Sequence, residues 1–278
     1  MLPTPASTLH KATESHKVFC QLLNFLVVLV TKPTDNLRVA PDHEHWSRVA
    51  HQWIEWAGTP NHDVYWAYRE SLAAFIGPGN GRALDAGCGE GRVSRDLRSI
   101  GYHVTASDTV AAMVEAAART DSAHEYAVAD MASLPFSNEH FDLVVAYNVL
   151  MDVANLTAAV KELKRVLRST GQLMISIVHP FADRGQFANT APDAAFVLQG
   201  TYFGEQRFEG AEERNGLKMD FAGWSRSLEI YATALEKAGL AITSIREPVP
   251  TESDQWAALR KWTRVPLFLW LKARPLAR

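Results

Sequence analysis

The chain has 278 residues, 47% of them hydrophobic and 21% charged, a balance that gives a globular core and excludes a disordered or fibrous protein. Its net charge of −3 supplies no basic field to draw nucleic acid. Two cysteines, Cys20 and Cys88, are too few for a disulfide framework and lack metal-ligand spacing, so no metal is expected and a cytoplasmic setting fits.

Residues 1–41 read as an N-terminal extension and linker. Within them, Val18 to Val30 is apolar except for Gln21 and Asn24. That run is too short for a spanning helix of about 20 residues, and no small-residue cleavage site follows it. A docking helix, or an extension outside the working domain, is favoured over membrane contact through residues 18–30. The rest, 42–278, reads as one domain. Trp46, Val49, Trp53 and Ala57 share one helical face, and a second helix, capped by Asp63, carries Val64, Tyr68, Leu72 and Phe75.

After "GPGNG" the pattern alternates. "ALDA", "YHVTAS", "YAVA", "FDLVVAY" and "QLMISIV" read as strands, with amphipathic helices after the first, second and fourth. This alternation predicts a parallel sheet with helices on both faces. A polar, aromatic-rich insertion spans about 181–224, followed by a helix and the strands "LAITSIRE" and "VPLFLWLKA".

Between the first strand and its helix lies "DAGCGEG", with Gly87, Gly89 and Gly91. Glycines there let a ligand approach the backbone, and the helix start offers free N–H groups. The spacing is one residue short of the dinucleotide fingerprint, and Glu90 would sit against a pyrophosphate, so a phosphate-free ligand fits better. Asp108, ending the second strand, suits a ribose diol; Asp130, ending the third, suits an exocyclic amine.

"LDAGCGEG", "VTASDTVAAMV", "VADMASLPFSNEHFDLVVAYNVLMDV" and "ELKRVLRSTGQLMISIVHPF", in this order, resemble the class I S-adenosylmethionine-dependent methyltransferases, type 11 small-molecule branch. The resemblance implies a Rossmann-like sheet of seven strands, the last antiparallel, with a lid inserted after strand five. It implies S-adenosylmethionine as cofactor. Asp85, Gly87, Cys88, Gly89 and Gly91 would line its methionine half, Asp108 would hold the ribose, and Asp130 and Met131 would read the adenine. Tyr147 and Asn148 would sit beside the sulfonium.

His179, in "VHPF", is the expected general base, or else a loop-bonded residue that shapes the pocket. Asp152 would orient a substrate or cap the helix that follows. Tyr202 and Trp224, in the insertion, would contact a small, aromatic or hydrophobic methyl acceptor. The alternatives are a nicotinamide-dependent oxidoreductase and a non-catalytic cofactor-binding module. A nucleic-acid substrate is disfavoured, since "YNVLM" stands where an N/D-P-P-Y/F motif would be.

Overall fold

The structure, a computed structural model, describes residues 42–276. The extension 1–41, with its Val18 to Val30 run, lies outside the described residues. Two helices come first, α1 (Asp42–Gly58) and α2 (Tyr65–Ile76), followed by β1 (Arg82–Ala86), α3 (Arg92–Ser99), β2 (His103–Asp108), α4 (Ala111–Arg119), β3 (Glu125–Val128) and β4 (Phe141–Tyr147). A 3-10 turn, Leu150–Asp152, leads into α5 (Leu156–Val166) and β5 (Leu167–Val178). Next come a four-residue helix, α6 (Pro180–Asp183), and four strands, β6 (Gly185–Phe187), β7 (Phe196–Leu198), β8 (Glu205–Arg214) and β9 (Leu217–Arg226). Helix α7 (Leu228–Lys237), β10 (Leu240–Arg246), a 3-10 segment (Asp254–Thr263) and β11 (Phe268–Pro275) complete the chain.

One sheet has the order β10-β11-β5-β4-β1-β2-β3. Strands β1 to β5 run parallel where they pair, and β11 is antiparallel to both β5 and β10. This is the expected doubly covered seven-stranded sheet. Alternation along the strands explains the two covered faces. Ala83 and Val145 turn to one core, with Tyr68 and Leu72 of α2 and Leu97 of α3. Leu84 and Val144 turn to the other, with Val160 and Leu163 of α5 and Leu235 of α7.

Strand order reverses between β1 and β4, and the β1, β2 and β4 carboxyl ends fall on one edge, where open α/β sheets bind ligands. The insertion is more regular than its polar sequence suggests. Strands β8 and β9 form a ten-residue-per-strand hairpin through Asn215 and Gly216. Both turn residues have positive φ, 51° and 81°, as a tight hairpin turn requires. The hairpin docks on α1: Gln52 exchanges hydrogen bonds with Asp220, donating to Oδ2 at 3.1 Å and accepting from its N–H at 2.9 Å. Trp56 and Val49 of α1 pack with Met219, and Phe221 lies beside them. Helix α1 therefore serves the insertion and the site rather than the sheet.

Candidate functional site

The glycine loop is tied to β2 through the N–H groups of Gly87 and Cys88, which donate to the Ser107 carbonyl at 2.7 and 2.9 Å. All three glycines have positive φ. At Gly87 a Cβ would meet Val149 Cγ2 at 2.3 Å, and at Gly89 it would meet Trp53 Nε1 at 2.7 Å, so β4's loop and α1 close directly on the backbone. Gly91 has another task. A Cβ there would meet Ser122 Oγ at 2.3 Å and Ala117 at 2.9 Å, so it permits close packing of α3 on the end of α4. It does not line the cavity, contrary to the expectation.

Asp85 also departs from its expected place. Its carboxyl is buried beneath the loop, where Ser94 Oγ donates to it at 2.6 Å, and it is absent from the cavity wall. Burial, with the nearby Glu90 and Asp108 adding to it, pushes its pKa up to about 7. The central strand delivers it into the protein, between sheet and α3, because it precedes the turn. Glu90 does border the cavity, and its Oε2 accepts from the Arg92 N–H at 2.7 Å. That carboxylate occupies the start of α3, which suits a phosphate-free ligand.

A cavity of about 400 Å³ opens at the sheet edge. Gly87, Cys88, Gly89, Asp108, Asp130, Met131, Tyr147, Asn148 and Asp152 all line it, so nine of the expected positions meet in one place. Asp108 Oδ2 accepts from Gly89 N–H at 3.0 Å and Oδ1 from Val110 N–H at 2.9 Å. The carboxylate keeps lone-pair capacity for a ligand. Burial raises the Asp108 pKa, while these backbone donors oppose the rise. Asp130 is exposed and accepts from Ala132 N–H at 2.8 Å. Asn148 takes a positive φ of 49°, with its side-chain oxygen accepting from Ser176 Oγ at 2.7 Å. Burial pushes the Cys88 thiol up, which removes it as a nucleophile.

A second cavity, about 160 Å³, adjoins the first. Trp56, Tyr65, Phe208, Phe221 and Phe268 contribute its aromatic wall, and Asp63, Asp183 and Glu212 its carboxylates. Arg92 borders both cavities, stacks over Tyr65 at 4.4 Å and Trp53 at 5.0 Å, and pairs with Asp63 at 2.6 Å. Arg214 meets Glu212 at 2.7 Å. Asp183 stands at about 6, raised by burial against Arg184. Phe208 and Phe221 belong to the insertion expected to wall the substrate and Tyr65 to a helix expected to close on it, whereas Trp56, Arg92, Asp183 and Glu212 were missed. The "NG" turn could have located the hairpin that carries Phe208 and Phe221, whereas nothing local marks Arg92 as a wall residue.

Three further expectations are corrected. His179 lines neither cavity. Its Nδ1 accepts from Phe181 N–H at 3.1 Å, capping α6, and its Nε2 meets Glu247 Oε1 at 3.1 Å. Both nitrogens are engaged and burial lowers its pKa, an arrangement that fits the loop-bonded reading better than the base. Neither Tyr202 nor Trp224 lines either cavity. The Tyr202 hydroxyl accepts from Leu228 N–H at 3.2 Å, and Trp224 Nε1 donates to Asp42 at 3.3 Å. Phe221 lines the chamber, whereas the Trp224 ring packs against Arg207 and Arg226.

Residues 84–175 match the family model for a type 11 methyltransferase domain. A malonyl-[acyl-carrier protein] O-methyltransferase of Enterobacter lignolyticus is 42% identical over 92 residues, 33% of this chain and 37% of that protein. The chain thus matches little more than a third of that relative's length. Two solved S-adenosylmethionine-dependent methyltransferases share the fold. The Mesorhizobium loti protein is 23% identical with TM-score 0.60, covering 76% of this chain and 98% of that one. The Listeria monocytogenes protein, described as putative, is 21% identical with TM-score 0.61, covering 75% and 96%. Residues 84–175 therefore match a methyltransferase domain, within a chain that has the fold of these S-adenosylmethionine-dependent enzymes.

Proposed function

We propose that the protein transfers a methyl group from S-adenosylmethionine to a small aromatic or hydrophobic molecule held in the second cavity. The observation that carries this reading is the adjacency of the two cavities, one of cofactor size and one walled by aromatic rings, which share Tyr147, Asn148 and Asp152. The donor set fits the cofactor: a phosphate-free glycine loop, Asp108 for the ribose, and Asp130 and Met131 at the adenine end. When bound, the cofactor supplies an activated methyl group. The chain's residues orient the acceptor, exclude water and hold the reacting atoms in line.

A second reading comes from the relatives named malonyl-[acyl-carrier protein] O-methyltransferase, whose name implies a carrier-bound acid as acceptor. A carboxylate acceptor calls for a free cation in the chamber. Arg92 is the guanidinium in its wall, and Asp63 already holds it, beside the further carboxylates of Asp152, Asp183 and Glu212. A neutral, flat acceptor suits this lining better. Incubation with methyl-labelled cofactor and a metabolite extract tests the choice. Label in a small aromatic product is the expected result, and label confined to acyl-carrier protein would reverse it.

A further inference from the structure

Six residues wall both cavities: Trp46, Trp53, Arg92, Tyr147, Asn148 and Asp152. If methyl passes between the cavities, as the proposed function holds, it passes among these. The charge of Arg92 is already met by Asp63. Asp152 stands differently. It sits on the 3-10 turn after β4, and no hydrogen-bond donor or ion-pair partner among the described residues meets its carboxyl. Nor does it cap the next helix, since Asn155 Oδ1 accepts from Ala158 N–H at 3.0 Å in that role.

The turn is held in place without using that carboxyl. The fully buried Arg226 donates to the carbonyls of Leu150 at 2.9 Å and Val153 at 2.8 Å, and its Nε is paired with Glu205. At Gly223 a Cβ would meet the Met151 carbonyl at 2.9 Å, so β9 supports the turn from behind. The other titratable groups facing Asp152 are Asp42 on α1, Arg207 on β8, Asp108 at the end of β2 and Tyr231 on α7. Arg207 is itself paired with Asp42. A carboxyl held this firmly, with its cations committed elsewhere, is an incomplete ion pair that opens on both cavities.

We propose that Asp152 is the counter-charge to the cofactor's sulfonium and, once the methyl has moved, takes the proton that the acceptor gives up. The step balances. The acceptor's lone pair forms the new bond to methyl while the sulfur–methyl bond breaks, its electron pair staying on sulfur. The acceptor's O–H or N–H bond then yields its proton to the Asp152 carboxylate. Loss of the positive charge on sulfur makes that carboxylate more basic at the moment a proton must be accepted. The acceptor class follows: a flat, hydrophobic body bearing a hydroxyl or an N–H, and not a tertiary amine.

Burial and then Asp42 raise the Asp152 pKa well above the usual carboxylate range, and a bound cation opposes that rise and expels any proton the carboxyl holds. Calorimetry in two buffers of different ionisation enthalpy, from pH 6 to 8, counts that proton. The full chain should release more protons on binding S-adenosylmethionine than Asp152→Asn does. The two proteins should behave alike with neutral S-adenosylhomocysteine, which also reports that the variant is folded. Asp152→Asn should lower the S-adenosylmethionine to S-adenosylhomocysteine affinity ratio about tenfold, one pKa unit of coupling. Asp152→Glu should restore the proton release. Equal proton counts in the wild type and Asp152→Asn, or an unchanged affinity ratio, overturn the assignment. Failure of the wild type to bind either ligand overturns instead the proposed function on which the assignment rests.

Discussion

Asp85→Asn isolates the buried acid under the glycine loop. In the folded protein its pKa stands at about 7, against 3.8 for an ordinary aspartate, because burial, Glu90 and Asp108 disfavour the charge. Between those two values the folded chain holds a proton that the unfolded chain has lost. Stability from this group is therefore present at low pH and is lost as pH rises toward 7. About three units at 1.36 kcal/mol each give about 4 kcal/mol across that window, or about 1.4 kcal/mol per pH unit within it. Asparagine keeps an acceptor for the Ser94 hydroxyl but carries no charge. Urea unfolding of both proteins at pH 5, 6, 7 and 8 measures the difference. The wild type should lose ground to Asp85→Asn from pH 5 to 7 and hold level beyond. Affinity for S-adenosylhomocysteine should change little, because Asp85 lies outside the cavity wall. A stability difference that stays flat from pH 5 to 8 would refute the reasoning, and a large loss of affinity would restore Asp85 to the cofactor.

Asp108→Ala should weaken cofactor binding by about 1.5–3 kcal/mol, the range for hydrogen bonds to a charged group, as read by calorimetry. His179→Ala should leave cofactor affinity and the pH profile of turnover unchanged, yet lower stability by about 1 kcal/mol through loss of the α6 cap, seen in a thermal melt. Gly91→Ala, at φ 95° and with a Cβ 2.3 Å from Ser122 Oγ, should destabilise by about 1–3 kcal/mol or more; a melting temperature equal to wild type would contradict the packing described. Phe221→Ala should raise the acceptor KM with little change in cofactor affinity, whereas Trp224→Ala should leave that KM alone.

The sheet was legible because its signal is local. "ALDA", "FDLVVAY" and "QLMISIV" are short apolar runs between amphipathic helices, and the carboxyl ends of the strands fixed where Asp108, Asp130 and Tyr147 would meet. Asp85 and Gly91 misled because sequence proximity to a ligand loop does not say which side of the backbone a group faces. Residue 85 still belongs to the strand and points inward, and residue 91 already belongs to the helix packing. His179 follows its strand as expected, but its ring turns to a loop contact, Glu247, that lies 68 residues away. The chamber wall was the least legible part. Arg92, Trp56 and Phe221 come together only through the docking of the hairpin on α1, a long-range contact with no local pattern. The aromatic richness of the insertion was readable, but which aromatics turn inward depended on a hairpin register that composition does not carry.

The central claim is tested most directly by titrating the full chain with S-adenosylmethionine, S-adenosylhomocysteine and NAD in one calorimeter. The account predicts saturable binding of both adenosyl ligands, weakened in Asp108→Ala, and no heat from NAD. Saturable NAD binding with no response to either adenosyl ligand would contradict it.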